Sequence, residues 1–215
     1  MSKIIPFQPA ATVSSIAENG TVPNRKRNDE LRNGRKYLTP PEIDRVLKVA
    51  KKGRHGTRDA LMIRMAYLHG LRVSELVDLR WDQIDFDQGL VEVQRLKNVT
   101  ASMQPLSGLE LRALRQVKRD YPVSPFVFQS ERGGPISAAG FRKLFARLGE
   151  KAEMPWPINP HMLRHSTGYA LVNKGDDTRS IQGFLGHKNI RHTQGYTALS
   201  AKRFQAMGLG KTLQN

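Results

Sequence analysis

Six side chains of this sequence could together break and remake a phosphodiester: Arg72, Lys97, His161, Arg164, His187 and Tyr196. Two guanidinium forks match the non-bridging oxygens of one phosphate and stay charged at any physiological pH. A tyrosine hydroxyl can attack phosphorus and carry it as a covalent phosphotyrosine. Its pKa of about 10 leaves it protonated at neutral pH, so it needs a base or a strongly positive site. Histidine titrates in the right range for that work, and a lysine can protonate the leaving 5′ oxygen. The main requirement is a positive clamp around the equatorial oxygens. No acidic cluster lies near these residues in the sequence, so no metal ion or other cofactor is implied, and the arginines take the metal's role. His161 and His165 have the i, i+4 spacing of a zinc pair, but they enclose Met162, Leu163 and Arg164. The metalloprotease arrangement needs a glutamate there, and an arginine is the wrong neighbour for a cation.

The elements that must carry these residues can be read from caps and periodicity. Asn159 suits an N-cap and Pro160 the first helical position, so a helix is expected from Pro160 to about Gly175, a natural C′ residue. His161, Arg164 and His165 then share one face. Leu163, Tyr169, Ala170 and Val172 supply its apolar surface. Asp177 caps a helix holding Ile181, Phe184 and Leu185 that ends at Gly186, with His187 just beyond. Upstream, Thr39-Pro40-Pro41-Glu42 forms a capping box for a helix to about Lys52. Thr57 is expected to cap a second, with Leu61, Met65 and Leu68 inward and its end at Gly70. A third begins in LRVSELVDL, placing Arg72 at a helix junction, with Leu76 and Leu79 inward and Glu75 and Asp78 outward. Alternation in Ile84–Phe86, Leu90–Leu96 and Met103–Leu106 predicts three short antiparallel strands, with Lys97 at a hairpin tip. Ser107 and Ser137 cap two further helices, and residues 200–207 suit a last short one.

The whole chain sets the partner class. Its 215 residues are 39% hydrophobic, enough for one folded domain plus a tail, and Lys+Arg 35 against Asp+Glu 19 gives a formal charge of +16. Such an excess is the footprint of nucleic acid. There are no cysteines, which excludes disulfides, thiolate metal sites and a cysteine nucleophile. No apolar run approaches the ~18 residues of a membrane span, and no secretion signal is seen, so work in the cytoplasm, at the nucleoid, is expected. Residues 1–36 read as a flexible basic tail, with seven Lys/Arg against three Asp/Glu.

The set and its order resemble the tyrosine recombinase (phage integrase) family. Gly70-Leu71-Arg72-Val73-Ser74-Glu75-Leu76 is similar to the family's first-arginine box, Lys97 falls where its β-hairpin lysine falls, and His161-Met162-Leu163-Arg164-His165 matches its H-x-L-R-H box. Leu185-Gly186-His187 matches the box of the second histidine, and Tyr196, nine residues later, the nucleophile. The resemblance implies the tyrosine recombinase catalytic fold, α+β and mainly α-helical with a small three-stranded antiparallel sheet, over residues 37–199. It implies that Tyr196 forms a 3′-phosphotyrosine and frees a 5′ hydroxyl, that Arg72 and Arg164 bind the scissile phosphate with His187, that Lys97 is the general acid, and that His161 assists proton transfer. His165 reads as supporting. Only a 36-residue tail precedes the region of resemblance, as in the small, catalytic-domain-only members such as the fimbrial phase-switch recombinases. The expected partners are double-stranded DNA, three further copies in a homotetramer on paired sites, and accessory DNA-bending proteins. DNA inversion, integration or excision would all use this chemistry. Residues 200–215 are expected to dock on a neighbouring protomer. The competing readings are a type IB topoisomerase and a DNA-binding regulator without catalysis.

Overall fold

A computed structural model describes residues 35–95, 101–121 and 123–197. Eight α-helices and a three-stranded sheet make up that part: α1 Pro40–Lys51, α2 Gly56–Leu68, α3 Val73–Val77, β1 Ile84–Asp85, β2 Leu90–Val93, β3 Ser102–Pro105, α4 Gly108–Asp120, α5 Ala138–Lys151, α6 Pro160–Lys174, α7 Thr178–Leu185 and α8 Arg191–Thr197. The expected mainly helical α+β class is what the structure shows. No helix among the described residues is long and apolar enough to cross a membrane.

Helix α2 is the axis of the core. Ala60, Leu61, Met62, Ile63, Met65 and Ala66 are all buried, so it is apolar on several sides, as a helix surrounded by others must be. It packs on α1, α4 and α6. The capping boxes form as the sequence requires. Glu42 accepts from the Thr39 N–H at 2.7 Å, and Glu110 from the Ser107 N–H at 2.9 Å, each satisfying an otherwise orphaned donor. Two expectations fail here. Helix α2 starts at Gly56 with His55 at the N-cap, two residues ahead of the expected cap Thr57. The reason is steric: a Cβ on residue 56 would lie 2.2 Å from the Lys51 carbonyl oxygen, so the chain can turn tightly there only because that residue is glycine. Leu68, at the end of α2, is exposed, because the helix stops there and turns through Gly70.

The sheet has the order β1-β2-β3, antiparallel throughout. Asp85 bonds the N–H groups of Asp87 and Gln88 at 2.9 and 2.8 Å to form the first turn. Val91 and Val93 point inward, and Val91 pairs with Gln104 of β3, which places the Gln104 amide in the interior. Strand β2 ends at Val93, short of the expected Leu96.

A second, smaller apolar cluster lies at one end of the molecule. Val172, Ile181, Leu185 and Tyr196 are buried in it, with Tyr169, Leu171 and Phe184 against them. Among the described residues it is built from α6, α7 and α8, which pack on one another.

Candidate active site

The end of α7 gathers the arginines. A helix leaves its last carbonyls without intrahelical partners and carries partial negative charge there. Three guanidinium groups meet three successive carbonyls. Arg95 donates to Phe184 O, Arg164 to Leu185 O at 2.5 Å and Arg72 to Gly186 O at 3.3 Å. Gly186 makes this possible by ending α7 in the left-handed conformation, φ 62°, with His187 N–H returning to Gln182 O at 3.1 Å. Arg72 and Arg164, more than ninety positions apart, are thereby brought together.

Each arginine is held differently. Arg164 lies on the buried side of α6, 2% exposed, and its other amino group donates to Gly70 O at 2.5 Å. Among the described residues it has no carboxylate partner. Burial, then the charges of Arg72 and Arg95, lowers its pKa to about 10, so it remains a cation at neutral pH. Arg72 is the N-cap residue of α3 and its side chain is 33% exposed, which makes it the solvent-facing arm of the pair. Glu75, at the third position of α3, accepts from the Arg72 N–H at 2.8 Å and from its guanidinium at 2.7 Å. Its second salt bridge is to Arg95 at 2.8 Å, with side-chain exposures of 0% and 3% for Arg95 and Glu75. Burial alone would raise the Glu75 pKa. The Arg72 N–H bond and the charges of Arg95 and Arg72 outweigh it and hold the carboxyl below its usual range. Three guanidinium groups against one carboxylate leave a surplus of positive charge facing Arg72. A phosphate suits such a place.

Tyr196 lies on α8, buried at 5% exposure. Its hydroxyl is 3.0 Å from His165 Nδ1. Tyr169 meets its ring edge-on at 5.2 Å between centroids, and His187 lies nearly parallel at 6.1 Å. Burial raises the Tyr196 pKa and the Arg164 charge opposes it. The ring rests on Gly168 of α6, where a Cβ would come within 2.6–2.8 Å of three ring carbons. An aromatic ring cannot bend away from such a contact. Gly168→Ala is therefore expected to displace Tyr196 and cut covalent capture of DNA at least about tenfold, one factor of ten per ~1.4 kcal/mol of misplacement, with duplex retention in a native gel unchanged. Capture at the normal rate would show that α8 does not dock as described.

His187 follows the α7 turn and its Nδ1 lies 3.0 Å from Thr193 Oγ1. Burial, then Arg164 and Arg72, lowers its pKa to about 3. His165 is lowered to about 4 by burial, His161, Arg164 and Lys36. Both rings are neutral at physiological pH. His161 opens α6, where Asn159 accepts from its N–H at 3.1 Å. It is exposed, but crowding on its inner side and the charges of Arg164 and Arg72 lower its pKa. The shared face expected for His161, Arg164 and His165 is thus graded from solvent to core. Ala170, expected among its apolar residues, is exposed.

Five of the six residues singled out, Arg72, His161, Arg164, His187 and Tyr196, converge on this end of the molecule. Lys97 lies outside the described residues. Sequence reasoning missed two participants, Glu75 and Arg95, and gave a third, His165, only a supporting role. Glu75 was placed outward; it turns inward because two arginines meet there. Its spacing from Arg72, a capping pair, was a usable signal. Arg95 carried none, since a single arginine after a strand usually faces water. His165 was read as support, and its contact with Tyr196 depends on where α8 packs.

The sequence matches the phage integrase family over residues 36–203. It is 40% identical over 186 residues to the type 1 fimbriae regulatory protein FimB of Escherichia coli (strain K12), covering 84% of this chain and 89% of that one. It is 37% identical over 179 residues to FimE of the same strain, covering 80% and 90%. Among solved structures, the XerA recombinase superposes with a TM-score of 0.70 at 24% identity, over 83% of this chain and 66% of that one, a likeness of fold. With the family matched over most of its length and close relatives covered almost whole, the chain belongs to the phage integrase family, that of the tyrosine recombinases.

Proposed function

We propose that this site-specific recombinase cleaves and rejoins double-stranded DNA through a 3′-phosphotyrosine on Tyr196. The observation that carries this is the meeting of Arg72 and Arg164 on adjacent carbonyls, with Tyr196 bonded to His165 and within reach of the Arg164 charge. In the proposed reaction Arg72, Arg164 and His187 bind the scissile phosphate. Tyr196 attacks phosphorus, Lys97 protonates the leaving 5′ oxygen and His161 assists proton transfer. The covalent link conserves bond energy, so the 5′ hydroxyl of a partner strand reverses it without ATP.

On this reading residues 37–199 form the catalytic unit and the basic residues 1–36 an arm that contacts DNA phosphates, whose neutralisation drives nucleic-acid binding. The working assembly is a homotetramer on paired sites at the nucleoid, with DNA inversion as its outcome and DNA-bending proteins as helpers. Residues 200–215 would dock on a neighbouring protomer. A hollow of about 180 Å³ lined by Leu171, Asp176, Ser180, Ile181 and Phe184 offers such a segment an apolar seat.

The test uses supercoiled plasmids with two inverted copies of the sequence that the protein selects from a random duplex pool. Recombination is expected to invert the intervening segment and to require both copies. Relaxation of any plasmid irrespective of sequence would instead mark a type IB topoisomerase, and duplex retention without covalent adducts a regulator.

A further inference from the structure

We propose that His165 is a catalytic residue of this recombinase, the group whose Nδ1 takes the proton from Tyr196 as its oxygen attacks phosphorus. The inference rests on the reading of Tyr196 as nucleophile and goes beyond it by naming the base. The Tyr196 hydroxyl is 3.0 Å from His165 Nδ1, within the reach a general base requires before any rearrangement. The two rings are 5.7 Å apart and steeply inclined, which brings a nitrogen of one toward the oxygen of the other. His161, by contrast, is exposed, and among the described residues its ring makes no hydrogen bond; it touches His165 edge-on at 4.6 Å.

The charges around His165 supply the timing. Burial first, and then His161 and Arg164 on α6 and Lys36 before α1, disfavour its protonation. His187 faces it from beyond α7, and Tyr196 from α8. The ring is therefore neutral in the free protein and can accept a proton. Its affinity for one is low, and burial holds the Tyr196 proton firmly, so the hydroxyl stays intact without DNA. A phosphodiester bound at Arg72 and Arg164 brings a negative charge that offsets the cations holding His165 down. Proton affinity rises when it is needed. In the step itself the Tyr196 Oη–H bond breaks as Nδ1–H forms, and Oη–P forms as P–O5′ breaks. The leaving oxygen takes its proton from the acid assigned to Lys97. Religation runs the same transfers backward.

His165→Ala and His165→Asn test this on the full-length chain, in single-turnover cleavage of a nicked duplex. That duplex carries the sequence the protein selects from a random pool. Both variants are expected to retain the duplex and to cleave about 100- to 10,000-fold more slowly. The asparagine oxygen can accept the tyrosine hydrogen bond but cannot take the proton, so recovery of wild-type rate in His165→Asn would reduce His165 to a positioning role and overturn the proposal. A duplex with sulfur as the bridging 5′ atom removes the need for an acid, because a thiolate leaves unprotonated. On it Lys97→Ala should recover while both His165 variants stay slow; their recovery would place His165 on the leaving-group side. The wild-type rate should fall on acidification as His165 becomes protonated, and this limb should vanish in His165→Asn. A limb unchanged in that variant would assign it to another group. Absence of cleavage by the unmodified chain would instead defeat the reading of Tyr196 and this inference together.

Discussion

Tyr196→Phe is expected to reduce covalent protein–DNA adducts on a denaturing gel to background while leaving retardation of the same duplex intact. The two readouts separate because binding and bond-making use different parts of the side chain. The ring is the buried part, seated on Gly168 and flanked by Tyr169 and His187, and phenylalanine keeps that contact. Only the hydroxyl is lost, with its bond to His165, worth about 1 kcal/mol of stability. In the proposed reaction phosphate binding belongs to Arg72 and Arg164, which the substitution does not touch. A phenyl ring offers no oxygen to phosphorus, so the loss should be complete. Adducts persisting in the variant would assign the attack to another hydroxyl, with Tyr169, 5.2 Å away by ring centroids, first in line.

Glu75→Gln is expected to be the most destabilising single change at the site, by about 3–5 kcal/mol in denaturant unfolding. The carboxylate is the only one that the described residues place against Arg95. Neutralising it leaves a guanidinium with no solvent exposure and an uncompensated charge, and removing one partner of a buried pair costs far more than the pair contributes. The amide still accepts from the Arg72 N–H, so the loss reports charge and not the cap. A pH scan gives a second check. The folded-state pKa of Glu75 is depressed, so its contribution is fully present above the unfolded carboxylate pKa and is lost as pH falls through the folded one. Wild-type stability should decline on acidification below about pH 4.5, and the Glu75→Gln variant should lack that part of the decline. A stability change under about 1 kcal/mol would mean that water reaches the pair.

These two residues show how unequally the site could be read beforehand. Tyr196 was legible because it stands nine positions after Gly186-His187, behind a helix with a cap at one end and glycine at the other. Local chemistry carries such information: Asn159, Asp177, Ser107 and Ser137 accept backbone N–H groups where expected, and Gly175 and Gly186 take the left-handed turns that end α6 and α7. Glu75 was misplaced because its partners come from the segment just after β2 and from the turn before α3, and nothing within a few residues of it announces a second arginine. The same holds for the buried bonds of His69 to Gln104 and Glu110, at 2.9 and 3.0 Å, which tie α2 to the sheet and α4.

By itself the sequence determined the helical periods, the caps and turns, the basic surplus and the order of the motif residues, because each depends on neighbours within one or two turns of chain. Only the tertiary structure decided that α7 ends where three arginines can reach its carbonyls, that Arg164 is the buried arm and Arg72 the open one, and that α8 sets Tyr196 against His165. Those outcomes follow from packing between segments distant in the chain, where a side chain's burial and charge environment come from residues that its own stretch of sequence does not contain.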